Sequence, residues 1–403
     1  MTRVPPGMWR SYASRLADDL VAAGEVTDSG WAEAFATVPR HHFTVADHVV
    51  DDGVQGSRRR DEPPPDLVGL SGWLARIYSR DRAVVTDMSE TDPWGNRVVT
   101  TESPPPALAA RPLLALELRR GMRVLELGTG TGHMTALMAR RVGDVAVRSV
   151  DIDLPVRDRA ARLLAELQMH PDLVAGDAGR LTRGEQGFDR IVVGFTSDHV
   201  PESWIRQLRP GGLMVVRLGW PLGTARHVVL QASSTSRDAL CGRFTPWCGA
   251  VPPYRPPAGR HVRRSRPYLD SDRTRSGSTF VDPVFLGGET PLTLMAQSRL
   301  GGGTARHVRT DGDNAMATFL RAADGSWAEI SHRSDRGGRR DVRSGGPTGL
   351  VAALEEACVE FADLAHRDWP EFGISIRAGL CRLWHSDPQR GPSWVLSARG
   401  SEW

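Results

Sequence analysis

Apolar positions along this chain follow two different periods. Trp9, Tyr12, Leu16 and Leu20 recur three or four residues apart, which predicts a helix over 8–24 closed by Gly24. A second helix is expected from about 28–30 through Trp31, Ala34 and Phe35, ending at Val38-Pro39-Arg40, because proline cannot continue it. Residues 51–65 are polar and proline-rich with a basic run at 58–60, which reads as a loop with a solvated charged face. From 107 to 232 the period switches. Short apolar runs at 123–127, 146–150, 190–193 and 213–217 predict buried strands, the last following the turn Pro210-Gly211-Gly212. Helical patterns lie between them at 133–141 and 157–167, the second with Ala160, Leu163, Leu164 and Leu167 on one side. Strands and helices in alternation imply βαβ units and a mostly parallel sheet covered on both faces, an α/β fold.

Residues 233–282 show little periodicity and read as a linker or a draped loop. Beyond them, 283–403 read as a separate α+β unit. It contains a helix over 348–366 with Leu350, Leu354, Cys358, Phe361 and Leu364 inward and Thr348 as N-cap. Alternation at Ile374, Ile376, Ala378 and Leu380 predicts a strand. The expected organisation is thus a helical or lid region over 1–78, a sheet domain over 79–232, the linker over 233–282, and a C-terminal domain over 283–403.

Composition narrows the possibilities. A chain of 403 residues is long for a single core, and 40% hydrophobic with 25% charged residues is ordinary globular usage. The net charge of +3 comes from 51 basic and 48 acidic residues, a balance that makes no nucleic-acid footprint. No lysine occurs, so every basic residue other than histidine is arginine. Apolar runs stop short of the ~20 residues a bilayer span needs, and no secretory h-region opens the chain, so no membrane association is expected. Four cysteines without a CxxC pair point to a reducing cytoplasm and no structural metal. His41 and His42 read as lid or packing residues, and His133 as a ligand-adjacent helix residue.

The chemistry concentrates in Val124-Leu125-Glu126-Leu127-Gly128-Thr129-Gly130-Thr131-Gly132. A strand passes at once into a helix, and alternate glycines let the backbone turn tightly under a flat ligand. A dinucleotide site wants G-x-G-x-x-G with a diphosphate on the helix N-terminus. Here the third glycine comes one residue early, and Glu126 before the turn disfavours a diphosphate and suits a cation. S-adenosylmethionine, with its ammonium and sulfonium groups, fits that sign. Asp151 ends the next strand, 23 residues after Gly128, where an acid accepts from ribose hydroxyls, with Ile152 beside it. Asp153 is the fallback for that role, although Ile152 and Pro155 favour reading it as a helix-entry cap. After the apolar step Leu173-Val174, Asp177-Ala178 places a carboxylate for an adenine amino group. Thr129 belongs to the turn, and Thr196, past the strand over 190–193, stands at the pocket rim.

Four segments resemble protein L-isoaspartate O-methyltransferases: Val38-Pro39-Arg40-His41-His42-Phe43, the glycine segment, Phe188-Asp189-Arg190-Ile191-Val192-Val193 and Gln207-Leu208-Arg209-Pro210-Gly211-Gly212. The resemblance covers roughly residues 8–220. It implies a class I S-adenosylmethionine-dependent methyltransferase with a Rossmann-like sheet that esterifies a peptide carboxylate. It also implies a substrate hydroxyl before the sheet domain, in the stretch Thr100-Thr101-Glu102-Ser103-Pro104-Pro105-Pro106, with Ser103 first and Thr101 in reserve. Repair enzymes usually end soon after the sheet, so the long extension resembles methyltransferases found with ATP-grasp peptide maturases. Those esterify an aspartate of a crosslinked ribosomal peptide (a graspetide), and the ester closes to an aspartimide.

An aspartate carboxylate, with a pKa of about 3.9, is ionised at neutral pH and needs no general base. Catalysis then reduces to holding oxygen, carbon and sulfur in line at about 3–3.5 Å and excluding water. The expected partner is a modified precursor peptide, with general isoaspartyl repair as the alternative and a non-catalytic escort of a maturase as an alternative of another class. The C-terminal unit is expected to supply peptide recognition or homodimer contacts.

Overall fold

The structure, a computed structural model, describes residues 4–44, 65–87, 90–91, 97–98, 101–180, 187–236, 238–247, 274–301, 304–311, 314–377 and 379–396. The basic run at 58–60 lies outside them. The chain forms two compact units. One holds the described residues up to Thr196 together with Ser203–Val216; the other holds Ser197–Glu202 and the described residues from Arg217 onward.

The first unit opens with α1 (Pro6–Ala22) and α2 (Ser29–Thr37). The Asp28 carboxylate accepts from the Gly30 and Trp31 amides at 2.9 and 3.1 Å, so α2 starts where an N-cap acid stands. Gly24 at φ 71° turns the chain between the two helices. After a short turn of 3-10 helix over Arg40–Phe43 comes α3 (Pro65–Ile77). Strand β1 (Val84–Asp87) then pairs antiparallel with β4 (Thr101–Ser103), and β2 (Glu90–Thr91) pairs with β3 (Arg97–Val98). Helix α4 (Pro106–Ala115) leads into the sheet.

The sheet of this unit is built from β5 (Val124–Leu127), β6 (Val147–Asp151), β7 (Asp172–Ala175), β8 (Phe188–Ser197) and β9 (Leu208–Gly219), in the spatial order β9-β8-β5-β6-β7. The pairs β5–β6, β5–β8 and β6–β7 are parallel. Helices α5 (His133–Val142), α6 (Leu154–Glu166) and α7 (Glu202–Gln207) make the connections. Asp153 caps α6 through its bond from the Val156 amide at 3.1 Å, as its position before Leu154-Pro155 implies. Order reverses at β5, the central strand. A crevice therefore opens beyond its carboxyl end, which is where ligands of such sheets bind.

The second unit holds an antiparallel run in the order β19-β18-β17-β11-β10 and a five-stranded antiparallel sheet in the order β12-β16-β15-β14-β13. The first comprises β10 (Ala225–Ala232), β11 (Ala239–Phe244), β17 (Phe372–Arg377), β18 (Leu380–His385) and β19 (Ser393–Leu396). The second comprises β12 (Arg275–Thr279), β13 (Ala305–Asp311), β14 (Asn314–Arg321), β15 (Trp327–Ser334) and β16 (Arg340–Gly345). Helices α8 (Pro291–Leu300) and α9 (Leu350–Ala362) complete the unit, and its core gathers Leu222, Leu286, Leu320, Ile330, Leu350 and Leu354.

Three expectations are corrected here. The stretch read as a linker contains β11 and β12. Its strand character is masked by Gly242, where an added Cβ would stand 1.8 Å from the Val229 carbonyl oxygen: the backbones approach too closely for a side chain. Thr348 does not cap α9. Its hydroxyl donates to the Asp324 carboxylate at 2.5 Å, its amide to Ser326 Oγ at 2.8 Å, and the helix begins after Gly349. The single strand expected around 374–380 is a hairpin, β17 pairing with β18 from Phe372↔His385 to Arg377↔Leu380; Ala378 lies outside the described residues.

Candidate functional site

The glycine turn sits where the crevice requires it. Gly128, Gly130 and Gly132 hold φ of 93°, 52° and 85°, a region that disfavours side chains. Space is short as well: a Cβ on Gly128 would lie 3.0 Å from the Phe195 ring, and one on Gly132 3.1 Å from Ala160 Cβ. A Cβ on Gly194 would lie 3.0 Å from the Gly128 carbonyl oxygen, so the turn and β8 meet almost backbone to backbone.

The acids expected around it are gathered at successive strand ends. Asp151, at the end of β6, accepts from the Gly130 amide at 2.9 Å and from the Asp153 amide at 3.0 Å, so its carboxylate is held against the turn. Burial pushes its pKa upward. Ile152 beside it is an exposed apolar side chain, a surface on which a flat ring can rest. Asp177, past the end of β7, accepts from the Gly179 amide at 2.8 Å. Ala178 is buried, and its carbonyl accepts from Trp204 Nε1 at 2.7 Å, while Trp204 packs edge-on against Phe195. Thr196 follows Phe195 near the carboxyl end of β8.

Glu126 departs from expectation in its electrostatics. It is 1% exposed, and its Oε2 accepts from Thr135 Oγ1 at 2.5 Å and Ser149 Oγ at 2.7 Å. Ser149 stands opposite Glu126 in the β5–β6 register and also bonds Thr129 Oγ1 at 2.7 Å. Burial pushes this carboxyl up to about 7, against the two hydroxyl bonds. Near neutral pH it is only partly ionised, so its sign cannot alone select a cation. Asp151 and Asp177 together with it supply the negative charge that suits a cation. Thr135 and Ser149 were not anticipated; a serine inside the apolar run Val147-Arg148-Ser149-Val150 was the available signal.

The substrate side is built by β4. Thr101 and Ser103 are both buried, with Glu102 between them less so, as strand alternation requires. The Thr101 methyl lies 3.8 Å from where a Cβ on Gly130 would stand, so β4 reaches the glycine turn. Thr101, Gly130 and Thr131 line one small cavity with Phe43, Thr86, Val156, Arg159 and Leu163. Ser103 does not line it. Ser103 is fully buried, and its Oγ has no hydrogen-bond partner.

Arg40, from the segment Val38-Pro39-Arg40, carries more than its sequence position suggested. Its guanidinium is 1% exposed. It donates to the carbonyls of Ile77 (2.9 Å), Arg82 (2.9 Å), Ser103 (3.3 Å) and Pro104 (3.0 Å), and at 3.5 Å to Ser79. Burial lowers its pKa to about 9. The neighbouring histidines pack. His41 bonds Tyr78 Oη at 2.7 Å among the rings of Trp9, Trp73 and Tyr78, and burial lowers its pKa to about 4. His133, against Phe43, is lowered to about 3, chiefly by burial and then by the Arg40 charge. His42 bonds the Leu163 carbonyl at 2.9 Å. Among the described residues no group of three or more His, Cys, Asp or Glu could hold a metal ion, and no helix is long and apolar enough to cross a membrane.

A side-chain-free turn, an acid bonded to it, a second acid one strand further and an exposed isoleucine between them make a donor set suited to S-adenosylmethionine. The fold and this set define a class I S-adenosylmethionine-dependent methyltransferase, with a mixed, mostly parallel sheet and an extra C-terminal β-rich unit. Residues 88–241 match the protein-L-isoaspartate(D-aspartate) O-methyltransferase family. A protein-L-isoaspartate O-methyltransferase of Anaeromyxobacter dehalogenans (strain 2CP-1) is 36% identical over 200 residues, 44% of this chain and 94% of that protein. Protein-L-isoaspartate O-methyltransferase 2 of Rhodopseudomonas palustris (strain HaA2) is 35% identical over 117 residues, 29% of this chain and 52% of that one. The chain belongs to the protein-L-isoaspartate O-methyltransferase family, and its cofactor is S-adenosylmethionine. A solved structure of a protein-L-isoaspartate O-methyltransferase superposes with a TM-score of 0.53 at 19% identity, covering 93% of this chain and all of that one. A C-terminal extension is therefore also part of the fold of a protein bearing that name, and an extension alone does not single out peptide maturation.

Proposed function

We propose that the protein methylates the side-chain carboxylate of an isoaspartyl or aspartyl residue in a polypeptide, with Ser103 holding that carboxylate. The observation that supports this reading is the buried, unpartnered Ser103 hydroxyl, on the same strand face as Thr101, which itself abuts the glycine turn. A buried hydroxyl without a partner costs about 1–3 kcal/mol, and an arriving carboxylate oxygen removes that cost. Thr101 is the second hydroxyl in reach. Bound S-adenosylmethionine supplies the methyl group that its sulfonium donates to a carboxylate oxygen. Gly128, Thr129, Gly130 and Gly132 shape its bed, Asp151 takes ribose hydroxyls, and Asp177 with Ala178 meets the adenine. Ile152 packs on the base, Thr196 stands at the rim, and Glu126 braces the turn from below through Ser149 and Thr129. No residue is required as a general base, because the carboxylate is already ionised.

Ser103→Ala is expected to lower kcat/KM for an isoaspartyl peptide by about 10–100-fold while leaving S-adenosylhomocysteine affinity unchanged in calorimetry. Unaltered turnover would transfer the role to Thr101 or dismiss it.

A dedicated substrate is the second reading: an aspartate in a crosslinked precursor peptide whose ester closes to an aspartimide. The Anaeromyxobacter relative aligns with 44% of this chain, and the remaining length offers surface for recognising a dedicated peptide. Isoaspartyl peptides of unrelated sequence and a crosslinked acidic precursor separate the two. Turnover of the first set supports repair. Methylation of the precursor alone, followed by loss of methanol, supports maturation.

A further inference from the structure

We infer that Arg40 is a positioning residue for the substrate carboxylate: its buried guanidinium fixes the strand end that carries Ser103 and gives that position a positive potential. The inference rests on the proposed role of Ser103.

The geometry is that of a clamp. Strand β1 begins at Val84 and pairs with Ser103 at the end of β4. Arg40 grips both sides of that junction, through Arg82 on the approach to β1 and through Ser103 and Pro104 on the exit from β4. Its other amino group holds the end of α3 through Ile77. Three segments far apart in sequence are thus tied to one planar fork, whose donors point in fixed directions. The Pro104-Pro105-Pro106 run that follows offers no backbone N–H to do this work. Carbonyls accept from Arg40, so the Ser103 backbone is fixed while its hydroxyl stays uncommitted.

The second half is charge. The hydrogen-bond partners of Arg40 among the described residues are neutral carbonyls, and no carboxylate among those residues pairs with it. Its Nε is buried without a partner. A buried cation without a counter-ion is costly to a fold. It is tolerated where an anion is meant to arrive, and the Ser103 hydroxyl belongs to the residue whose carbonyl Arg40 already holds. Histidines that could share the charge do not: burial holds His41 and His133 neutral.

The sign of the effect follows from the chemistry. Esterification removes the negative charge of the carboxylate, so a fixed cation beside it favours bound substrate over the transition state and over the ester. Loss of Arg40 therefore weakens substrate binding without slowing the chemical step, and the product leaves a site that no longer attracts it. A purely structural residue would lower kcat, cofactor affinity and stability together.

The test uses the full chain and isoaspartyl peptide turnover, with S-adenosylhomocysteine calorimetry as the measure of an intact cofactor site. Arg40→Met is expected to raise KM by about 10–100-fold with kcat within about threefold and cofactor affinity unchanged. Arg40→Lys, which keeps the charge and loses the fork, is expected to raise KM by only about 3–10-fold. In a Ser103→Ala background Arg40→Met should add less than about threefold, since both act on one carboxylate. Should Arg40→Met lose cofactor binding altogether, the lysine variant decides: an unchanged KM overturns the inference. So does a full, additive KM effect in the Ser103→Ala background, or a fall in kcat with KM unchanged. Wild-type protein that binds cofactor and methylates no carboxylate peptide overturns the proposed function and this inference with it. Wild-type turnover with indifferent variants overturns this inference alone.

Discussion

At the scale of single residues, the site combines groups whose type was legible with groups whose state was not. The positions of Asp151 and Asp177 at the ends of successive strands were legible because the apolar runs before them mark where those strands stop. The ionisation of Glu126 was not, because it depends on Ser149 and Thr135, which come from other elements. Arg40 was visible only as a member of a segment, since nothing local announces that an arginine will be spent on distant carbonyls. Glu126 yields a prediction with a definite sign. Its carboxyl is raised from the usual 4.5 to about 7, so the folded state holds a proton that the unfolded chain releases. Its contribution is most favourable below about pH 4.5, falls as pH rises to about 7, and is level above that. Glu126→Gln is expected to flatten the stability profile between pH 5 and pH 8 in urea unfolding. An identical decline in both proteins would show that Glu126 is not the group concerned.

At the scale of elements, the strands and helices of the first unit follow their sequence patterns closely, because a parallel sheet buried on both faces selects continuous apolar runs. Antiparallel strands in the second unit were harder to see. In β15 and β16 one face is largely solvated, and arginines and serines interrupt the apolar alternation. The hairpin of β1 and β4 has only the three paired positions from Val84↔Ser103 to Asp87↔Thr101, too short for any period to register. The glycine turn is the element whose tolerance can be tested most sharply. Gly128→Ala introduces a Cβ at φ 93° and within 3.0 Å of Phe195. A cost of about 1–3 kcal/mol in stability is expected, with S-adenosylhomocysteine affinity down at least about tenfold. Retained affinity would mean that Phe195 swings aside and that the turn is less constrained than its geometry implies.

At the scale of the whole molecule, each unit has a buried core of its own, and the cofactor turn belongs to the first alone. Scanning calorimetry is therefore expected to resolve two transitions. S-adenosylhomocysteine at about 100 times its Kd should add about 2.7 kcal/mol to one of them, roughly 5–10 °C, and leave the other in place. A single transition that moves as a whole would show that the units melt together. The route of the chain between them has a further consequence. It leaves the first unit after Thr196, returns at Ser203 and departs again after Val216. Among the described residues, a protease nick between Glu202 and Ser203 leaves neither unit whole on a single fragment, whereas one after Thr196 divides the first unit and one after Val216 the second. Recombination that joined or exchanged the second unit at any single one of these points would therefore cut through one unit or the other.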